Sequence, residues 1–192
     1  MALSHAIMTA LIDDDMSGYE LAKAFDASLG LFWHASHQQI YQELRKLADK
    51  GWLNRRRVAQ RGRPDKLVYG LTQAGRRALG DWVLRDSRQR ESKDDLLVKL
   101  YTLSAENIGH LRREIDGRRQ AMMRRLYLYE RIRRGHYADP ALLPLRRKGI
   151  YLVLSLGIRS GEQYLAWCDE ALDLLAREQE RLEATEGNVS RP

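Results

Sequence analysis

The chain has 192 residues, of which 44% are hydrophobic and 31% are charged, and its formal net charge is +7. Its one cysteine, Cys168, excludes an intramolecular disulfide framework and fits a reducing compartment. The most apolar segment, residues 149–158, is too short for a membrane span of about 20 residues, and no signal-type run opens the chain, so we expect a cytoplasmic protein.

Two short helices are predicted first. Apolar residues at helical spacing run from Leu3 to Leu11. Ser17 then begins a second helix, because Glu20 stands three residues later, as in a capping box. This helix is expected to end near residues 29–30.

The third helix is predicted to start at Ser36 and to end at Gly51. Its apolar positions are Ile40, Leu44 and Leu47, four and three residues apart, and these should face a core. The polar positions between them would form the opposite face of an amphipathic helix.

A β-hairpin follows, with strands at residues 55–58 and 67–71. Pro64 suits a turn that spans Arg63 to Lys66. On the return strand, the apolar residues Leu67, Tyr69 and Leu71 should cover a core, and one arginine of residues 55–57 is expected to lie over it. Thr72 then caps a fourth helix, on which Trp82 is predicted to join Trp52 in the core.

The remaining chain is predicted to be helical, with a domain boundary near residue 90. The helices are expected at residues 96–101, at about 105–134 and at about 145–182, and residues 186–192 are expected to be a disordered tail. The last helix would be about 55 Å long at about 1.5 Å per residue. A helix of that length usually buries its apolar stripe against another copy, which predicts a homodimer.

The positive charge is concentrated in the helix and hairpin. Residues 37–77 contain eleven lysines and arginines and three acidic residues, a balance of +8, so the rest of the chain is nearly neutral. A concentrated patch of this kind favours contact with phosphates over general solubility. A helix followed by a basic two-stranded ribbon is typical of a winged helix-turn-helix. We therefore predict a mainly α fold with one small β-hairpin: an N-terminal winged helix-turn-helix and a helical, coiled-coil-like dimerisation domain.

Three ordered motifs resemble the PadR family of bacterial transcriptional regulators. They are Ser17-Gly18-Tyr19-Glu20-Leu21; Gln39-Ile40-Tyr41-x-x-Leu44-x-x-Leu47-x-x-x-Gly51; and Gly62-Arg63-Pro64-x-x-x-x-Tyr69-x-Leu71-Thr72-x-x-Gly75. The segment Asp94 to Leu100 is similar to the opening of the virulence-activator-type C-terminal domain of the longer subgroup. One departure is Gln42, where the family often has proline. The resemblance implies a homodimer that binds an inverted-repeat operator, usually as a repressor that responds to small aromatic or amphipathic ligands.

The third helix of a winged helix enters the major groove, where Gln pairs with adenine and Arg with guanine. The residues predicted to bind DNA are Tyr19, Ser36, His37, Gln38, Gln39, Tyr41, Gln42, Arg45, Arg61, Arg63 and Lys66. Of these, Ser36 and Gln39 lie at the helix start, where backbone amides can meet a phosphate, and the last three form the wing. Alternatives stay open: a solvated helix face, packing for Tyr19 and Tyr41, and a hairpin tip that serves solubility alone.

Other functions have weaker support. His34-x-x-His37 is half of a metal site without a third ligand, and Cys168 fits a core position better than a redox sensor. Trp167, on the last helix, is a speculative ligand contact. No catalytic motif or cofactor site is found, so we predict no enzyme, no metal and no cofactor. The main alternative to a DNA-binding regulator is a winged-helix interaction adaptor that does not bind DNA.

Overall fold

The computed structural model describes residues 2–27, 35–60, 63–87 and 94–189. The chain divides into two compact units, Met1–Gln89 and Arg90–Pro192. The fold is mainly helical with one small antiparallel sheet, which confirms the predicted fold class.

The described residues of the first unit form four helices and three strands. They are α1 (Ala2–Ala10), β1 (Met16–Ser17), α2 (Gly18–Ala27), α3 (His37–Asp49), β2 (Leu53–Gln60), β3 (Arg63–Leu71) and α4 (Gln73–Val83). The four predicted helices and the hairpin are all present. The end predicted for the second helix, near residues 29–30, lies outside the described residues.

The sheet has the order β1-β3-β2, and both pairings are antiparallel. Strand β1 was not predicted; its two residues, Met16 and Ser17, pair with Tyr69 and Val68 of β3. This pairing ties the start of α2 to the base of the hairpin. Because a two-residue strand carries no alternating pattern, the sequence gives no signal for it.

One apolar core holds the first unit together. The three residues predicted for α3 are at most 1% exposed. They pack with residues of α1 and the position after it, of α2, of the base of the hairpin and of α4: Ile7, Met8, Leu11, Leu21, Phe25, Leu53, Tyr69, Leu71 and Leu79. The helix ends at Asp49 with Lys50 as its C-cap, and Gly51 follows with φ of +70°, a conformation that glycine adopts without strain.

The predicted turn at the tip of the hairpin is wrong. Gln60 pairs with Arg63, so Arg63 to Lys66 belong to β3 and Pro64 is its second residue. A register irregularity between Val58 and Gln60 lies opposite, and proline is tolerated at strand starts and beside bulges. The two strands therefore pair closer to the tip of the hairpin than the position of Pro64 had predicted.

Three further packing predictions for the first unit are wrong. Leu67 is 37% exposed, because the hairpin extends beyond the core towards its tip. The arginines of residues 55–57 are all exposed for the same reason, so none covers the core. Trp82 is 39% exposed and stacks on His5 with 4.2 Å between the ring centroids, which places it at the edge of the core. Trp52 does pack against the core, partly buried.

The second unit is a helical hairpin with a short helix packed on it. It contains α5 (Asp95–Leu100), α6 (Ile108–His136), a 3-10 turn (Pro140–Leu142) and α7 (Leu145–Val189). Helices α6 and α7 run antiparallel: Arg112 bonds Gln179 near one end, and Tyr129 lies against Gly157 near the other. One buried apolar cluster joins α5, α6 and α7, and it consists of Leu96, Ile108, Leu111, Ile115, Cys168 and Leu175.

Helix α7 is longer than predicted. Its 45 residues span about 68 Å at about 1.5 Å per residue, and it includes residues 186–189 of the predicted disordered tail. Residues 177–186 are mostly strong helix formers, and a single glycine, Gly187, costs only about 1 kcal/mol. Residues 190–192 lie outside the described part of the chain. In that part, no helix is both long and apolar enough to cross a membrane.

Candidate nucleic-acid interface

Helix α3 presents its polar face to solvent. Its apolar residues are buried, whereas His37, Gln38, Tyr41, Gln42 and Arg45 are all exposed. Residues 38, 41, 42 and 45 are three and four positions apart, so they share one face of the helix. The exposed polar face opposite the buried apolar positions matches the amphipathic helix that the spacing predicted.

The start of α3 is closed by a capping box. The Ser36 hydroxyl accepts the Gln39 N–H at 3.2 Å, and the Gln39 side-chain oxygen accepts the Ser36 N–H at 2.9 Å. These two side chains, predicted to lie near a phosphate, therefore have structural partners. They fix the direction in which α3 begins.

A groove of about 620 Å³ lies between α2, α3 and β3. It brings together four residues predicted to bind DNA: Tyr19, Tyr41, Arg45 and Lys66. Tyr19 is 67% exposed and Tyr41 is 40% exposed, so both hydroxyl-bearing rings are accessible. His37, Gln38 and Gln42 do not line this groove.

Glu20, in the first turn of α2, has two roles in the groove. One of its carboxylate oxygens accepts both the N–H and the hydroxyl of Ser17, each at 2.8 Å. The other accepts a hydrogen bond from Lys66 Nζ at 2.6 Å. The lysine, followed by the Ser17 bonds, lowers the pKa of Glu20 to about 2. The capping box was predicted; the lysine was not, since 46 residues separate the two side chains.

Strand β2 of the hairpin carries exposed positive charge. Arg55, Arg56 and Arg57 lie on β2, and Arg56 Nη2 is 3.3 Å from an Asp15 carboxylate oxygen. Asp15 also faces Gly70, where a β carbon would overlap its side chain. Arg61 and the side chain of Arg63, both predicted contacts, lie outside the described residues.

The second unit does not place its predicted residues in a comparable site. Trp167 is half-buried and stacks against Tyr164, with 5.6 Å between the ring centroids. Cys168 is fully buried, as predicted, and burial raises the pKa of its thiol, which disfavours the reactive thiolate. Among the described residues, no group of His, Cys, Asp or Glu could hold a metal ion; His34 lies outside them.

Two family models match the chain. Residues 7–81 match the transcriptional regulator PadR-like family, and residues 92–176 match the C-terminal domain called virulence activator alpha C-term. A probable transcriptional regulator of Mycobacterium tuberculosis is 37% identical over 189 residues, covering 91% of this chain and 98% of the relative.

Solved structures of two such regulators resemble this chain. The negative transcriptional regulator PadR of Bacillus subtilis is 32% identical over 181 residues, covering 92% of this chain and 98% of the relative. Its complex with operator DNA has a TM-score of 0.75 at 29% identity and covers 91% of this chain and 99% of that one. The virulence activator AphA of Vibrio cholerae has a TM-score of 0.73 at 31% identity and covers 92% of this chain and 99% of that one. With a winged-helix first unit, a helical second unit and these relatives spanning nearly the whole chain, the protein belongs to the PadR-like family of transcriptional regulators.

Proposed function

We propose that the chain is a homodimeric, sequence-specific DNA-binding regulator of the PadR type that acts as a repressor and is released by a small ligand. One observation carries the DNA-binding part: the exposed polar face of α3 stands beside the basic hairpin, within the segment that holds a charge of +8. The Bacillus subtilis PadR structure that resembles this chain contains operator DNA.

The geometry suggests that different residues contact the bases and the phosphates. Gln38 and Arg45, exposed on one face of α3, would read base edges, where a bidentate contact discriminates by about 1–3 kcal/mol. His37 and Gln42 lie close to them. The groove residues Tyr19 and Tyr41 would contact phosphates, as would the arginines of the hairpin, including Arg61 and Arg63.

A titration of labelled duplex from the protein's own promoter region tests this function, with a scrambled duplex of equal length as the control. We expect tighter binding to the promoter duplex and a steep loss of affinity as salt rises, because condensed counterions are released. Gln38→Ala should reduce the preference for the promoter duplex, whereas Arg55→Gln should weaken both duplexes equally. If neither duplex binds, the interaction-adaptor alternative is favoured.

The homodimer is supported by an apolar stripe on α7. Leu145, Leu152 and Leu156 are 87%, 66% and 67% exposed, and they are seven and four residues apart. Large exposed side chains at this spacing are typical of a helix that packs on a partner helix. Leu152→Glu with Leu156→Glu should shift the mass measured by light scattering from dimer to monomer. Substitution of the exposed Glu162 and Glu170 by lysine, on the same helix, is the control and should leave the dimer intact.

Release by a small ligand rests on a relative. A second structure of Bacillus subtilis PadR holds p-coumaric acid, with a TM-score of 0.69 at 28% identity. We propose an aromatic or amphipathic effector for this chain, with Trp167 as a candidate contact. Adding p-coumaric acid to the protein–promoter complex should release the labelled duplex, and Trp167→Leu should weaken the release without changing affinity for DNA.

A further inference from the structure

Lys66 is the one predicted wing contact whose side chain is described, and it is already paired. Its Nζ lies 2.6 Å from Glu20, and the ammonium-bearing side chain is 31% exposed. A phosphate that bound Lys66 would have to share the ammonium group with this carboxylate or displace it. The carboxylate would then remain in the groove that faces DNA, where it would repel phosphates.

The pair is well positioned because Glu20 is itself held. The two hydrogen bonds from Ser17 fix one carboxylate oxygen, and the Glu20 N–H in turn binds the Ser17 hydroxyl at 3.3 Å. Only the second oxygen is directed to Lys66. A carboxylate already fixed in position loses less side-chain entropy when it forms an ion pair than a mobile one does.

We propose that Glu20 is a positioning residue that withholds Lys66 from DNA and thereby lowers the affinity for DNA of any sequence. This inference rests on the proposed DNA-binding function. In the complex, the wing would then contact phosphates through its arginines, while Lys66 stays bound to α2. The pair joins β3 to α2 as the Asp15–Arg56 pair joins β2 to the loop before β1.

The variant Glu20→Gln separates the two roles of the side chain. A glutamine oxygen still accepts the Ser17 N–H, as in other capping boxes, so α2 keeps its start. The charge that holds Lys66 is lost. The matched control is Asp81→Asn, which removes one exposed carboxylate from α4 in the same unit, outside the groove.

The measurement is affinity for a scrambled duplex as a function of salt, with the full-length chain. Glu20→Gln should steepen the slope of log K against log salt by about 0.9 for each DNA-binding unit engaged, one extra phosphate contact. At 0.1 M salt this corresponds to roughly 8-fold tighter binding per unit. In the double variant with Lys66→Gln the gain should disappear. Lys66→Gln alone should leave the slope unchanged, although the affinity should fall because the Glu20 carboxylate is left unpaired.

Two outcomes would overturn the proposal. One is a slope that flattens by about 0.9 in Lys66→Gln alone, since Lys66 would then already contact a phosphate. The other is a gain in affinity for Glu20→Gln that is no larger than the gain for Asp81→Asn, because the change in net charge alone would then explain the effect. The Lys66→Gln arm leaves the capping box untouched, so it decides the question even if Glu20→Gln does not fold. Failure of the wild-type chain to bind either duplex would instead contradict the proposed function.

Discussion

The ring of Tyr41 on α3 lies directly against the backbone of Gly18 at the start of α2, so closely that a β carbon at residue 18 would overlap it. Gly18 has no positive φ and needs no unusual backbone conformation. Its role is close approach: it allows α3 to carry a large aromatic residue beside α2. The contact therefore sets the position of a predicted phosphate-binding side chain.

Gly18→Ala should destabilise the first unit by about 1 kcal/mol, at the lower end of the range for overpacking, because the partly exposed ring can rotate away. The cost should shrink when Tyr41 is also replaced by alanine. Urea-induced unfolding of the two single variants and the double variant measures this coupling. Equal costs of Gly18→Ala in both backgrounds would show that the ring does not cause the effect.

Helix α4 offers a matched pair of glycines. A β carbon at Gly75 would overlap the backbone carbonyl of Trp52 and approach a Leu71 methyl carbon to 2.8 Å, whereas one at Gly80 would meet nothing within 4 Å. Backbone atoms cannot move aside as a flexible side chain can. Gly75→Ala should therefore lower the free energy of unfolding by about 3 kcal/mol, the upper end of the overpacking range. Gly80→Ala should instead stabilise by about 0.5–1 kcal/mol through helix propensity. Urea-induced unfolding of both variants should give shifts of opposite sign, and shifts of the same sign would contradict this account.

Local signals in the sequence were sufficient for the helices and for most of the first core. Apolar spacing located the buried face of α3, and the side chains of Ser36 and Thr72 cap α3 and α4 as expected of such residues. The remaining positions of α3 were then expected to form its polar face. The charge balance of residues 37–77 then indicated the same surface by an independent route.

The features that the sequence could not predict depend on strand register and on how far the hairpin extends past the core. The Glu20–Lys66 pair joins residues 46 positions apart, and its formation depends on how β3 is placed beside α2 through the short strand β1. The exposure of Leu67 depends on how far the hairpin extends past the core. The alternation of apolar and polar residues along the strand does not reveal that length. Both features arise from tertiary structure, which is not determined by the spacing of apolar residues or by the preference of each residue for helix or strand.

The close packing of α6 and α7 depends on Gly161. A β carbon there would lie 2.8 Å from a Leu126 methyl carbon and 3.1 Å from the Met122 sulfur. Gly161→Ala should destabilise the second unit by about 1–3 kcal/mol. The control is Gly117→Ala on α6, where a β carbon meets nothing within 4 Å and helix propensity predicts a gain of about 0.5–1 kcal/mol. Thermal unfolding followed by circular dichroism compares them, and a gain in both variants would show that the helices can separate at no cost.

Asp94, which caps α5, should make the second unit sensitive to acid. Its two carboxylate oxygens accept hydrogen bonds from Arg118 at 2.8 Å, and one of them accepts the Leu96 N–H at 2.9 Å. The arginine, then the Leu96 N–H, lowers the pKa of Asp94 below its ordinary value of 3.8. A lowered folded-state pKa means that the stabilisation is fully present above 3.8 and is lost as the pH falls through the folded-state value.

Asp94→Asn keeps an oxygen for the Leu96 N–H but removes the charge that binds Arg118. It should cost about 1 kcal/mol near pH 7, because both side chains are partly solvent-exposed, and it should lose part of the wild-type decline in stability below pH 3.8. Asp139→Asn is the control, since that carboxylate caps the 3-10 turn by accepting the Ala141 N–H at 3.0 Å. Urea-induced unfolding at a series of pH values compares the three proteins. An identical acid profile for Asp94→Asn and the wild type would contradict this account, because protonation of Asp94 would then contribute nothing to the loss of stability in acid.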